Sequence, residues 1–254
     1  MIEGKKILWG INVYSRVNHL RVQEELIRAH FGDKLDILLF TNHESFPEKN
    51  FRYKEDIFHR HDVNSGGHTG CRDAYNFAVP ISVAYDYIIW SHADCILGDY
   101  SIVEKMLCEM KDADAVFYCL SQDRQVNPRR NHEGVVPHIY NDFFIFESSF
   151  YREVFPRYDI CDGWAESGLI NDCIEVALGK WVAEKIGSRK HIVLPGKLDS
   201  AVPDESIFKN DGKAYATRGN SFEACVNFLR SNFPKYYHTA AAAGLTTNLL
   251  DDKR

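Results

Sequence analysis

No run of apolar residues in this chain approaches the roughly 20 that a membrane-spanning helix needs. Nor is there an excess of positive charge. Thirty Lys and Arg stand against 36 Asp and Glu, a net charge of −6, so no broad attraction to nucleic acid or to an anionic membrane surface is expected. Internal repeats are missing. The residues from Met1 to Lys6 run straight into an apolar segment, so no leader is expected. The seven cysteines (71, 95, 108, 119, 161, 173 and 225) are odd in number and contain no Cys-x-x-Cys pair. They are expected to be small buried thiols of a reducing compartment, not a disulfide framework or a zinc site. A cytoplasmic location is the corresponding expectation, with peripheral association at the inner face of a membrane left open. The composition does not set an oligomeric state.

What is present is ordinary for a globular chain of 254 residues, with 45% hydrophobic and 26% charged residues. That length supports one sizeable core. The chain is organised around Tyr85 to Tyr100. Tyr87, Ile88, Ile89 and Trp90 read as a buried strand, and Ser91-His92-Ala93-Asp94 breaks it with polar groups. Gly98-Asp99 reads as a turn, and Ile102, Val103, Met106, Leu107 and Met110 fall on one face of a following helix. Alternation is expected to put His92 and Asp94 on one side of the chain and Ala93 on the other. An imidazole and a carboxylate so placed could hold a divalent cation or a ligand hydroxyl. A polar residue after a buried strand can equally be only a turn former.

The flanking segments extend the pattern. Lys6–Val13 and Leu35–Thr41 read as strands, with a helix between them capped by Asn18, striped by Val22, Leu26 and Ala29, and stopped at Gly32. Ile57–Arg60 reads as a short strand. Residues 64–70 read as a flexible, glycine-containing loop before a helix from Cys71 that is kinked or broken before Pro80. Asp114–Leu120 reads as a strand, 121–141 as a long polar loop, and Asp142–Phe150 as another strand. A helix carrying Ile170, Ile174, Leu178 and Trp181 follows. His191–Leu194 is expected as a short strand. Asn220 with Glu223 reads as the capping box of a final helix striped by Phe222, Val226, Leu229 and Phe233. Strands alternating with helices predict a doubly wound α/β domain with parallel strands.

The order of these elements and polar loops resembles the GT-A fold of nucleotide-sugar-dependent glycosyltransferases, especially the large inverting family 2. The resemblance runs from about Lys6 to Gly187 and rests on short motifs in order. Asn12 to Arg16 matches a nucleotide-contacting turn after the first strand. Asn42 lies where the second strand ends. Gly66-Gly67 lead to Gly70-Cys71-Arg72-Asp73, with Arg72 at an arginine of the pattern. His92-Ala93-Asp94 matches the Asp-x-Asp of the family, with His92 in place of the first carboxylate. Gly163-Trp164-Ala165-Glu166-Ser167 matches the segment that supplies the base, with Ser167 where an aspartate often stands.

The resemblance implies a Rossmann-like, mostly parallel sheet flanked by helices. The catalytic domain would span residues 1–195, with a nucleotide-sugar half at about 1–120 and an acceptor half at about 121–195. A C-terminal helical extension would occupy 196–254. The donor implied is a nucleoside-diphosphate sugar, a UDP-sugar first, bound by Asn12, Arg16, Asn42, Gly67, Arg72, His92 and Asp94. The acceptor implied is a saccharide or lipid-linked saccharide, met by Trp164, Arg129 and Arg130. The cofactor implied is Mn²⁺ or Mg²⁺, held by Asp94 and His92 with the late His238 as a third ligand. Glu166 is the first candidate for the base and Asp172 the second. Each has a plainer role open to it: a surface charge for Arg72, Arg129, Arg130 and Asp172, a core aromatic for Trp164, a solvated side chain for His238. Two other functions remain open. One is a GT-A domain that binds a nucleotide or a partner without turnover. The other is a sugar nucleotidyltransferase, although Gly10 to Arg16 lacks the Gly-x-Gly-Thr-Arg-like loop of that class.

Overall fold

The structure, a computed structural model, describes residues 4–13, 16–41, 57–60, 66–122, 139–155, 178, 182, 184–202, 205–210, 213–218 and 221–246. Three of its strands, β1 (Ile7–Asn12), β2 (Asp36–Thr41) and β4 (Tyr87–His92), are apolar at nearly every position. Such continuous runs belong to strands covered on both faces. Ile7, Trp9 and Ile11 of β1 enter one apolar cluster and Leu8 enters the other, so the sheet separates two cores.

The remaining strands are β3 (Ile57–Arg60), β5 (Ile96–Leu97), β6 (Ala115–Gln122), β7 (Ile139–Glu147), β8 (Lys190–Val202), β9 (Glu205–Asn210) and β10 (Lys213–Arg218). The central sheet has seven strands in the order β3-β2-β1-β4-β7-β6-β8. All run parallel except β7, which is antiparallel to both of its neighbours. One core lies under α1 (Val17–Phe31), α3 (Ser101–Ala113), α5 (Phe222–Asn232) and α6 (Pro234–Ala242). The other lies under α2 (Gly66–Ile81) and α4 (Ser148–Val154). The protein is thus α/β, with a mostly parallel seven-stranded sheet flanked by helices.

At the middle of the sheet Gly10 sits opposite Trp90. A Cβ at Gly10 would stand 2.5 Å from the Trp90 ring, so the indole occupies the space a side chain would take. That ring is then fixed from α4, where Trp90 Nε1 donates to the Tyr151 hydroxyl at 3.0 Å. Tyr151 in turn donates to the Tyr75 carbonyl of α2 at 2.6 Å.

Several elements differ from expectation. α1 is capped at Arg16 without a side-chain hydrogen bond, and Asn18 is buried inside the helix. Val22 and Leu26 are buried as expected, Ala29 is exposed, and the buried face also takes in Leu20, Gln23, Glu24, Ile27 and Phe31. α2 begins at Gly66 rather than Cys71, and Pro80 lies in its last turn. Glycine is a poor helix former, but burial of Cys71, Ala74, Tyr75 and Ala78 on one face holds the helix from its middle. The segment from Ser148 to Phe150 is helical, not strand: Phe150, Tyr151 and Val154 share a buried face.

The largest correction concerns the region after residue 195. In place of a purely helical extension, a second sheet forms. β8 pairs with β6 as far as Gly196 and with β9 from Lys197 onward. The small sheet continues as β8-β9-β10-β5 with antiparallel pairing. Pro195 falls where β8 pairs on one side only, with β6, the kind of edge position where strands accept proline. The helical part of the expectation survives as α5 and α6.

Candidate functional site

The order of the sheet reverses at β1: β2 lies on one side of it and β4 on the other. In open α/β sheets ligands bind outside the carboxyl ends of the strands at such a reversal. The two carboxyl ends here are Asn12 and His92, which are register partners. The backbone closes the junction: Ala93 N donates to Asn12 O at 3.0 Å and Cys95 N to His92 O at 3.0 Å.

Four of the expected site residues meet at this edge. Asn12 donates from Nδ2 to the Cys71 sulfur of α2 at 3.0 Å. His92 Nε2 lies 3.4 Å from the same sulfur. Arg16 Nε lies 3.3 Å from Asp94 Oδ2, with Asp94 about one-fifth exposed (20%). Alternation fails beyond His92, because β4 ends there and Ala93-Asp94 is a turn. His92 therefore takes its partner from α2, while Asp94 takes its partner at the start of α1. The expectation of one shared direction for the two side chains is corrected accordingly.

Beneath the Arg16–Asp94 pair lies Cys225 of α5. Burial pushes its thiol up to about 12; the Asp94 carboxylate adds to the shift, and the Arg16 guanidinium opposes it. Cys225 is thus a neutral packing group. The cysteines among the described residues are free; Cys71, Cys95, Cys119 and Cys225 are buried, but Cys108 is exposed, contrary to expectation.

Gln23 of α1 carries no functional signal in the sequence, yet it holds the turn. Its Nε2 donates to the carbonyls of His92, at 3.1 Å, and Cys95, at 2.5 Å. Its Oε1 accepts from Ser91 Oγ at 3.3 Å, and Ser91 Oγ accepts from Trp9 Nε1 at 2.8 Å. The available clue was a glutamine on the inward face of an amphipathic helix. A buried amide must find partners, and here they are the carbonyls on either side of Ala93-Asp94. Cys71 likewise carries no signal in the sequence beyond packing.

The remaining expected residues separate from this cluster or lie elsewhere. Gly67 is in the first turn of α2. Arg72 pairs with its neighbour Asp73, Nη2 to Oδ1, at 2.9 Å. His238 is exposed on α6 with its ring against Tyr237. Asn42, Arg129, Arg130, Trp164, Glu166 and Asp172 lie outside the described residues.

A divalent cation does not fit the described residues as they stand. They contain no group of three His, Cys, Asp or Glu able to hold one. One of the two Asp94 oxygens, Oδ2, already faces a guanidinium. Two unit charges near a protein surface repel by about 4 kcal/mol at 4 Å, and a doubly charged ion doubles that figure.

The positive ends of two helices also face this edge. Neither α1 nor α2 has an acidic residue in its first turn, so their N-terminal N–H groups remain electropositive. A depression of about 220 Å³ lined by Lys5, Lys6, Asp33, Asp36 and Tyr85 lies at the opposite, amino-terminal edge. It is away from the strand ends where ligands of such sheets bind. No helix among the described residues is long and apolar enough to cross a membrane.

Fold and edge together define an α/β protein with the polar side chains of Asn12, Arg16, His92 and Asp94 gathered at the reversal of a mostly parallel sheet. No protein-family model matches the chain, and no curated protein matches it.

Proposed function

We propose that the chain is a GT-A glycosyltransferase. It would move a sugar from a nucleoside-diphosphate sugar, a UDP-sugar first, to a hydroxyl of a saccharide or lipid-linked saccharide. The observation that carries this reading is the meeting of Asn12, Arg16, His92 and Asp94 at the carboxyl ends of β1 and β4. The sheet order supports it, as does the small second sheet that begins with β5 directly after Asp94.

The chemistry asks for fixed positive charge. As the bond between the sugar C1 and the diphosphate oxygen breaks, its electron pair passes to that oxygen. Preorganised donors aimed at the developing charge stabilise it. Arg16 and the first-turn N–H groups of α1 and α2 are the donors available at this edge. The acceptor oxygen forms the new bond to C1, and its proton goes to a carboxylate. Glu166 is proposed for that base and Asp172 as the alternative, with inversion at C1.

The test is release of nucleoside diphosphate from a panel of nucleotide sugars, with and without a saccharide acceptor. Release by the wild type and its loss in Glu166→Gln, with donor binding intact, is the expected result. Absence of both turnover and nucleoside-diphosphate binding would overturn the proposal. A second reading, a domain that binds a nucleotide without turnover, is favoured by one observation: Asp94 is already neutralised by Arg16. Tight diphosphate binding with no release from any donor would decide for it.

A further inference from the structure

We propose that the positive charge facing the diphosphate at this edge is the guanidinium of Arg16, and that a nucleoside diphosphate binds here with divalent metal removed. The proposal rests on the glycosyltransferase reading and departs from the cation that the Asp-x-Asp resemblance implies.

Three observations converge on it. First, one oxygen of Asp94 is already paired. Its Oδ2 faces Arg16 Nε at 3.3 Å, and a cation bound at the usual distance of about 2.0–2.6 Å from that oxygen would lie against the guanidinium. Second, His92 is committed in another direction. Its Nε2 lies 3.4 Å from Cys71 Sγ, and the same sulfur accepts from Asn12 Nδ2 at 3.0 Å. The imidazole is thereby fixed toward α2, and the described residues hold no third ligand to complete a metal site. Third, Arg16 stands where a phosphate would need a cation. It caps α1 with no side-chain hydrogen bond to the helix, and the first turn behind it has no acid. Its side chain is two-fifths exposed (40%), against one-fifth (20%) for Asp94. A guanidinium can keep a carboxylate on one edge and meet a phosphate on another. Asp94 then acts as a positioning residue: it aims Arg16 and does not ligate metal.

The experiment is calorimetric titration of the full chain with UDP and with GDP, in EDTA and in Mn²⁺, for wild type, Arg16→Gln, Arg16→Lys and Asp94→Asn. Circular dichroism checks that each variant is folded. The expected result is binding in EDTA within about threefold of that in Mn²⁺. Arg16→Gln should weaken it by about tenfold or more in both conditions, and Arg16→Lys should recover part of the loss. Asp94→Asn should weaken binding less than Arg16→Gln does. Binding that needs Mn²⁺ and falls most in Asp94→Asn overturns the proposal while leaving the glycosyltransferase reading intact. Absence of binding by either diphosphate in either condition overturns both.

Discussion

At the scale of single residues, the turn that carries Asp94 depends on a side chain far from it in sequence. Gln23 is fully buried and uses its amide on three partners: the carbonyls of His92 and Cys95 and the hydroxyl of Ser91. Replacing it with leucine keeps much of the volume and removes every one of those bonds. Carbonyls stripped of a buried donor cost about 1–3 kcal/mol. Gln23→Leu should therefore destabilise the chain by about 2–3 kcal/mol, read as a lower urea midpoint at unchanged slope. Because the loss falls on the carbonyls flanking Ala93-Asp94, the proposed glycosyltransferase function implies that the same variant should also weaken UDP binding. A stability loss with unaltered UDP binding would show that Gln23 packs the core without setting the turn.

At the scale of elements, helix ends offer the cleanest check. α5 is capped by Ser221, whose hydroxyl accepts from Ala224 N at 3.2 Å. Ser221→Ala should cost about 1 kcal/mol in thermal or urea unfolding; no loss would mean that the cap bond is replaced by water. The sequence pattern pointed one residue earlier, to Asn220, because Asn and Ser are both good caps and the motif alone does not choose between neighbours. The same kind of limit explains what else was legible. Buried strands such as β1, β2 and β4 stand out because both faces are apolar. β8 to β10 do not: β9 pairs with its neighbours in sequence, but β8 with β6 and β10 with β5 pair across long stretches of chain, and Pro195-Gly196 looks like a stop although β8 continues through it. α2 was legible from Cys71 on, where buried residues recur at helical spacing, and hidden across Gly66 to Gly70. At the site, Asn12, Arg16, His92 and Asp94 could be read because each ends or closely follows a strand. Cys71 and Gln23 could not, because their roles come from contacts with β4 across 21 and 69 residues of chain.

At the scale of the whole molecule, the C-terminal helices share an apolar core with the first half of the chain, and one phenol adds polar ties to it. The Tyr236 hydroxyl of α6 donates to Asp99 Oδ1 at 2.9 Å, accepts from Tyr100 N at 3.2 Å and lies 3.1 Å from His30 Nδ1 of α1. His30 Nε2 in turn faces Glu104 of α3 at 3.6 Å. Burial pushes the Tyr236 hydroxyl up to about 12, and the Asp99 carboxylate adds to that, so it keeps its proton and remains a donor. At Asp99 burial pushes the carboxyl up, but hydrogen bonds from Ser101 N and from Tyr236 outweigh it and hold the group below its ordinary value. A carboxyl depressed in the folded state contributes stability that is fully present above its unfolded value, about 3.9. That contribution is lost as pH falls through the folded value. Asp99→Asn retains a carbonyl acceptor but no charge, so it should cost about 1 kcal/mol or less at about pH 7. The difference from wild type should shrink on acidification below about pH 4, as the wild-type carboxyl itself becomes neutral. Urea midpoints of the two proteins, measured between about pH 7 and pH 3, should therefore converge at the acid end. Parallel curves would mean that the Asp99 charge does not help to hold α6 against the fold.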